Sequence, residues 1–583
     1  MENQSTAAEP RTSAGRAICA MLQEIRVDTV FCLSGAAHAY LLREMVSAGI
    51  TVISTRTEAG TVAAADGYAR VKGGLGVAMI AGKQGLPNAV GGVRTAQLAC
   101  SPVLVMASVY DAPSTEAIGD EATDPLVATA PFAKWSRSVP SAARVEEFLG
   151  AAIHAATSGR PGVSVLGLPT HFAKAEIPAR SPMLAIKQDP SSPSPSWDAI
   201  ARAADLIAGA KRPLILAGTG SALSGAGDAL TSLSALGIPV FGHALGRGVV
   251  VEDMKSGFPW PLAQVAARHA DVVISFGLRL GQRIGYGMEP RFSRDARFIQ
   301  IDISPSELGR NRQIEIPIVA DARLAAVELL TALEWRGYKA PEGTGWVGDA
   351  IATRLDRLDE LGRVEEGPIH PLRIGRELMR LIPQDAIIVS DGADIYNWMS
   401  GVLRIRSPRS YLDHFPLGSM GIGTGLALGA AAAAKEAARL HGAVERRVVL
   451  ITGDGSFGYY AAELNSMKLA DLPIACVISN DGAWGTEKNG HLMHWDESVN
   501  CELGQCDYHL IGQAYGCIGK KVTTPDELAP ALELALTAAE PSVINVLTDP
   551  DAGLARKQDP RLQMVTFEDL PSSLDAHYVM ELL

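Results

Sequence analysis

The sequence predicts an α/β protein with three doubly wound domains, each built on a parallel sheet. Three observations carry that expectation. From about residue 12 to 177, strand-like and helical patterns alternate, as in DTVFCLSG, LLREMVSAG and ITVIST, and such alternation implies a parallel sheet with helices on both faces. The rhythm returns in PLILAGTG, ADVVISFGLRL and ARFIQIDIS (213–304), and again between 386 and 547. A proline- and serine-rich stretch at 177–197, IPARSPMLAIKQDPSSPSPSW, separates the first two blocks as a linker. The expected domains are therefore 1–180, 195–345 and 365–550, followed by a tail at 551–583.

Length and composition agree. A chain of 583 residues has room for two to four domains with ample cores. Hydrophobic residues make up 47% and charged residues 20%, which is ordinary for a globular enzyme and too apolar for disorder. The net charge of −12 argues against nucleic acid or an anionic membrane as partner. Seven scattered cysteines show no metal-ligand spacing. Only Cys501 and Cys506 lie close together, and a reducing, cytoplasmic setting fits better than a disulfide. The opening MENQSTAAEPRTSAG lacks an apolar signal core. The small-residue run at 421–434 is too short for a bilayer and reads as a buried helix.

Taken in order, the first chemically loaded point is Arg56-Thr57-Glu58, after a strand at 50–55 and before the helix AGTVAAADGYARV. On spacing alone Glu58 is either a helix N-terminal charge or a functional carboxylate. Two further strand-end loops follow, GKQGLPN at 82–88 and the acidic run 111–124. In the second block, Gly218-Thr219-Gly220 is too short a glycine pattern to claim a dinucleotide. A charged helix at 353–363 leads into the third block. There the strand-loop AIIVSDGADIYNWM (386–399) offers the amides of Asp391, Gly392 and Ala393 to a phosphate.

The densest stretch is 448–488. An apolar strand ends in Gly453-Asp454-Gly455-Ser456, a helix is expected over 459–470, and a second strand at 473–479 ends in Asn480-Asp481. In open α/β sheets ligands sit at the carboxyl ends of such strands. The glycines let the backbone approach, and the Gly455 and Ser456 amides suit a diphosphate. Asp454 and Asp481, 27 positions apart, supply hard oxygen ligands for Mg²⁺ beside it.

This pattern resembles the metal-diphosphate motif of thiamine diphosphate enzymes, in which Gly-Asp-Gly is followed by an Asn-Asn pair; Asp481 stands where the second Asn is usual. The resemblance spans essentially the whole chain and looks like the acetolactate synthase superfamily, nearest 2-hydroxyacyl-CoA lyase and benzaldehyde lyase. It implies pyrimidine-binding, middle and diphosphate-binding domains in that order. It makes the Ala483 carbonyl the third metal ligand. RTEAGTVAAADGYAR resembles the family's RHEAAA…A-GYAR, with Thr57 for a usual His, and so implies that Glu58 hydrogen-bonds the cofactor's aminopyrimidine and manages its proton. It places Asp120, with Glu121 beside it, toward the thiazolium. It also implies Met420 as the wedge that bends the cofactor, with the Gly418 carbonyl on the pyrimidine amine. His414, Tyr396 and Glu487 become polar groups on the substrate side. Arg279 and Asp302 match the places where CoA-using relatives hold ADP; acetolactate synthases hold FAD there, and benzaldehyde lyase neither.

The chemistry so implied is lysis or formation of a carbon–carbon bond, with a 2-hydroxyacyl-CoA giving an aldehyde or ketone and formyl-CoA. A carboligase without CoA, such as acetolactate synthase or benzaldehyde lyase, is the alternative. A non-catalytic nucleotide-binding protein would require Glu58 and the metal pair to be accidental. The resemblance further implies a homodimer or homotetramer with active sites between subunits. The tail beyond Ala552 is expected outside the core as a lid, with Arg556, Lys557 and Arg561 facing CoA phosphates.

Overall fold

Three six-stranded sheets, all parallel, form the framework in a computed structural model that describes residues 10–109, 124–179 and 192–562. The first sheet contains, in chain order, Thr29–Cys32, Thr51–Ser54, Gly76–Ala81, Val103–Val109, Trp135–Ser138 and Val163–Pro169. Numbered along the chain, these strands lie in the order 2-1-3-4-6-5. The last sheet contains Ile387–Ser390, Tyr411–Asp413, Val448–Gly453, Ile474–Asn480, Ile518–Val522 and Ser542–Leu547, again in the order 2-1-3-4-6-5. The middle sheet, from Pro213–Ala217 to Ile316–Val319, has the order 3-2-1-4-5-6, the arrangement of dinucleotide-binding folds. Strands buried on both faces need continuous apolar runs rather than alternation. Val163–Pro169 and Ile474–Asn480 meet that demand, being buried along their whole length.

Two compact units emerge from the packing. One comprises Met1–Ser191, His414–Ala443 and Tyr460–Leu472; the other comprises Ser192–Asp413, Val444–Tyr459 and Pro473–Leu583. The first unit therefore holds the first sheet together with two segments that belong, in sequence, to the last third. Its central feature is a helix pair, Glu58–Lys72 against Gly423–His441. Small residues permit the close approach: a Cβ at Gly429 would collide with the Ala64 carbonyl, and one at Gly425 would lie 2.6 Å from the Ala63 Cβ. A buried polar knot locks the far end. Glu436 accepts from the hydroxyls of Thr29 (2.7 Å) and Tyr68 (2.7 Å) and pairs with Lys72 (2.7 Å).

The structure corrects several sequence expectations. The helix expected over 459–470 is two helices, Asp454–Tyr460 and Glu463–Leu469. The run at 421–434 belongs to a longer helix that ends at His441, and the charged helix is the end of Gly345–Gly362. The tail's start is not outside the core. Helix Ala552–Gln558 follows the last strand, and Ala552 and Leu562 are buried in the core of the last sheet. Asp559 pairs with Arg357 at 2.7 Å. Apolar anchors at both ends and an ion pair between them explain why this segment docks. Among the described residues, no helix is long and apolar enough to cross a membrane.

Candidate functional site

The chemically loaded residues fall into two half-sites, one in each unit. The half-site on the last sheet is built at the switch point of its strand order, where the first and third strands are hydrogen-bonded neighbours. After Ile387–Ser390, the chain turns through Asp391-Gly392-Ala393, with Gly392 at φ +86°. Only glycine adopts that conformation freely, and a Cβ there would lie 2.9 Å from the Gly453 amide nitrogen. After Val448–Gly453, the chain enters helix Asp454–Tyr460 directly, so the Gly455 and Ser456 amides fall in its first turn. A Cβ at Gly455 would meet the Trp484 ring at 2.5 Å. The two loops form a backbone cradle of the kind that accepts a diphosphate.

Asp454 and Asp481 meet beside this cradle. Asp454 is buried, and its Oδ2 accepts from the Gly482 amide at 3.1 Å. Asp481 Oδ1 accepts from the Ala483 amide at 3.3 Å. A Cβ at Gly485 would collide with Asp481 Oδ2, so the next helix, Gly485–Trp495, starts directly on the carboxylate. Both carboxyls are held above the usual range. Burial is the main cause for each, and the charges of Asp454 and Asp394 add to it at Asp481. Two crowded carboxylates fit a hard divalent cation, which would relieve their repulsion. Among the described residues, no cluster of three or more His, Cys, Asp or Glu offers a metal cage. The remaining ligands of such an ion would be carbonyl, phosphate or water oxygens, which suits Mg²⁺. Ala483 is held for such a role: Gly482 O accepts from the Leu503 amide (2.7 Å), and Cys501 O from the Trp484 amide (2.8 Å).

Three other groups lie in this unit. Tyr396 is buried on helix Asp394–Val402, one turn beyond the cradle; its hydroxyl donates to Asp413 at 3.2 Å, and the Arg283 guanidinium lies 5.1 Å from its ring centre. Burial holds the phenol neutral, well above its ordinary pKa. Glu487 is exposed on the first turn of its helix. Positive charge collects at the nearby ends of the middle strands. His243 is pushed down to about 3, by burial first and then by Arg283, Arg247, Arg279 and Arg291. Arg247 is neutralised by Glu252 at 2.7 Å. Asp302 ends a middle strand and accepts from the Ser304 amide at 2.8 Å.

The second half-site is in the other unit. Glu58 is the first residue of helix Glu58–Lys72, capped by the Thr57 hydroxyl, which accepts from the Gly60 amide at 3.0 Å. A hydroxyl is a better cap than an imidazole, which accounts for the departure from His. Glu58 is partly exposed, and among the described residues its Oε2 accepts a long bond, 3.4 Å, from Asn88 Nδ2. Gly60 lies against Gly425 near the start of the neighbouring helix, so the two N-termini share one end of the pair. That end carries Gly418, at φ +79°, and the partly exposed Met420. Ser419 Oγ would lie 3.5 Å from a Cβ on Gly91. His414 is buried against Phe415, its carbonyl accepting from the Gly418 amide at 3.1 Å. Asp120 and Glu121 lie outside the described residues.

Sequence reasoning missed two groups here. Asn88 was visible only as part of the 82–88 loop. Glu463 is fully buried, and its carboxylate receives the amides of Arg56 and Thr57. The one local signal is that Glu463 shares a helix face with Ser466 and Met467, both buried: an acid where the period asks for an apolar residue. In the tail, Arg561 is engaged by Asp559 at 3.1 Å, and the Arg556 and Lys557 side chains lie outside the described ones.

Comparison with known proteins identifies the family of the chain. Three sequence families match in order: "Thiamine pyrophosphate enzyme, N-terminal TPP binding domain" over 12–127, the "central domain" over 200–333 and the "C-terminal TPP binding domain" over 391–546. A "Probable acetolactate synthase" of Mycobacterium bovis is 31% identical over 561 residues, covering 95% of this chain and 99% of its own. A "Probable acetolactate synthase large subunit" of Methanocaldococcus jannaschii is 30% identical over 567 residues, covering 92% of each chain. The human "2-hydroxyacyl-CoA lyase 1" is 26% identical over 567 residues, covering 93% of this chain and 96% of its own.

Proposed function

Because the chain belongs to the thiamine pyrophosphate-dependent enzymes of the acetolactate synthase superfamily, we propose that it is a carbon–carbon carboligase or lyase acting on an anionic substrate. The observation that supports the substrate charge is Arg283, whose guanidinium lies over Tyr396 on the helix that leaves the cradle. When bound, the cofactor would supply a nucleophilic thiazolium carbon and, in that same ring, an electron sink for the bond next to the carbonyl.

The chain's own residues do the rest. Asp454, Asp481 and the Ala483 carbonyl would hold Mg²⁺, and the loops at Gly392-Ala393 and Gly455-Ser456 would hold the diphosphate. Glu58 has free lone pairs on its carboxylate and would hold and return one proton at the pyrimidine ring. Met420 and the Gly418 carbonyl would orient that ring. Tyr396 would stay neutral and, with its one O–H given to Asp413, could offer a substrate only its oxygen as an acceptor. Complete sites would form between two copies of the chain, which calls for a dimer or a dimer of dimers.

Two substrate classes carry the required negative charge. A 2-hydroxyacyl-CoA, cleaved to an aldehyde or ketone and formyl-CoA, is one; a 2-oxo acid, coupled without CoA, is the other. The second is favoured by Arg561, whose charge is engaged by Asp559 rather than left for a CoA phosphate, and by the higher identity of the relatives named acetolactate synthase. The middle sheet's dinucleotide-type order is compatible with ADP or FAD. The deciding experiment incubates the protein, Mg²⁺ and thiamine diphosphate with either 2-oxo acids or 2-hydroxyacyl-CoAs and follows the products. Carboligation of 2-oxo acids without cleavage of the thioesters is expected; cleavage of the thioesters alone would reverse the assignment.

A further inference from the structure

We propose that Glu463 is a positioning residue for Glu58: its buried carboxylate clamps the peptide that presents Glu58, so turnover depends on it through Glu58. The inference rests on the role given to Glu58 above. Glu463 opens helix Glu463–Leu469 and has no solvent exposure. Its carboxylate accepts four donors. The Arg56 amide lies 3.2 Å from both oxygens, the Thr57 amide 3.0 Å and the Thr57 hydroxyl 2.8 Å from Oε1, and the Ser466 hydroxyl 2.8 Å from Oε2. These donors flank the one peptide whose orientation aims Glu58 out of the helix start.

Three features make this more than an ordinary cap. The Thr57 hydroxyl is used twice, accepting from the Gly60 amide while donating to Glu463, so the cap and the clamp share one atom. Gly60 has no room for a side chain, because a Cβ would collide with Glu463 Oε1; the carboxylate is pressed against the first helical turn. Ser466 fixes the rotamer from behind. Amides at a helix start have no partners within the helix, and the dipole there favours negative charge. Burial pushes the Glu463 carboxyl upward, and the four donors counter part of that push. A buried carboxylate that costs desolvation is accounted for by what it holds. Among the described residues, the side chain of Glu58 is otherwise held by the long bond from Asn88.

The test uses the full chain with Glu463→Gln, Glu463→Ala and, in parallel, Glu58→Gln. Deuterium exchange of the cofactor-free protein reads the clamp directly at the Arg56 and Thr57 amides. Both Glu463 variants should exchange faster there than the parent, Ala more than Gln, because Gln keeps one acceptor oxygen. With Mg²⁺ and thiamine diphosphate, Glu463→Ala should lose about 10- to 100-fold in kcat, the scale of a misplaced reacting group. Glu463→Gln should recover part of that loss, and KM and cofactor affinity should change by less than about threefold in either. Unchanged exchange at these amides, an unchanged kcat, or a loss that falls on KM or cofactor affinity would each overturn the proposal. If Glu463→Ala does not fold, Glu463→Gln carries the same readouts. Should Glu58→Gln turn over normally, the reading of Glu58 falls, while the exchange data still decide the clamp.

Discussion

The first and last sheets have one topology and two styles of site. Both run 2-1-3-4-6-5, so their strand ends offer equivalent loops. The last sheet uses the switch point itself: loops after its first, third and fourth strands bring Gly392, Asp454 and Asp481 together within one β-sheet edge. The first sheet places Glu58 after its second strand, at the sheet border, and leaves its orientation to other segments. A ligand cradle can be made from backbone and two acids at the strand ends of a single sheet. A carboxylate proposed to handle a proton needs an aim, and here the peptide before Glu58 is held by a residue some four hundred positions away.

The largest expected effect tests the self-contained half of this contrast. Replacing Asp454 by Ala removes a carboxylate from a pair that fits Mg²⁺ and, among the described residues, leaves no cluster of three or more His, Cys, Asp or Glu as substitute. Turnover should fall to background, with no thiamine diphosphate retained on gel filtration at micromolar Mg²⁺. Residual activity above a hundredth of the parent's would show that the diphosphate loops suffice without this acid.

Next comes Glu58→Gln, which should keep the fold and cofactor affinity and lose roughly 10²–10⁴-fold in kcat, the range of general acid–base contributions. Equal losses in cofactor binding would make Glu58 a binding group and erase the contrast between the sheets.

The two halves also differ in how far the sequence disclosed them. Gly-Asp-Gly, the paired acid 27 positions on, and the Gly392 loop were legible because glycine and acid at strand ends encode local backbone geometry. Glu58 was proposed from the resemblance of RTEAGTVAAADGYAR, a contiguous string, to the family pattern. The clamp was not legible, since Glu463 looks like any acid in a short helix until the fold brings it to Arg56 and Thr57. The tail was misjudged for the opposite reason. Its polar appearance concealed the buried Ala552 and Leu562, and the contact in which a Cβ on Gly553 would lie 2.7 Å from Asp394 Oδ1.

That contact sets a third prediction. Deleting residues from 552 onward should strip a wall from the last sheet's half-site and break the Asp559–Arg357 pair. The buried Leu562 side chain, at about 1.5–3 kcal/mol, and the Ala552 methyl, at about 0.8 kcal/mol, make a lowered melting temperature the first symptom. Activity should fall for thioester and oxo-acid substrates alike. A deletion from 563 isolates any lid effect: a loss confined to acyl-CoA substrates there would restore the CoA reading.

The smallest expected effect is at Asp481, and it is the sharpest test of how self-contained the metal half-site is. The usual residue at this place in the family the chain resembles is Asn, and an amide oxygen is also a hard donor. In the metal-free protein, Asp481 is crowded by Asp454 and Asp394, and its carboxyl is driven upward by burial and by those charges. Asp481→Asn should therefore raise the melting temperature of the metal-free protein, since a like-charge contact disappears while the oxygen that accepts from Ala483 remains. With Mg²⁺ and thiamine diphosphate present, the gain should shrink, because the cation already relieves the repulsion in the parent. The Mg²⁺ concentration for half-maximal activity should rise by about tenfold or less, the scale of one lost charge on a ligand that stays in place. A drop in melting temperature without metal would mean that Asp481 is held by favourable contacts instead, and that this half-site, like the other, depends on groups beyond its own strand ends.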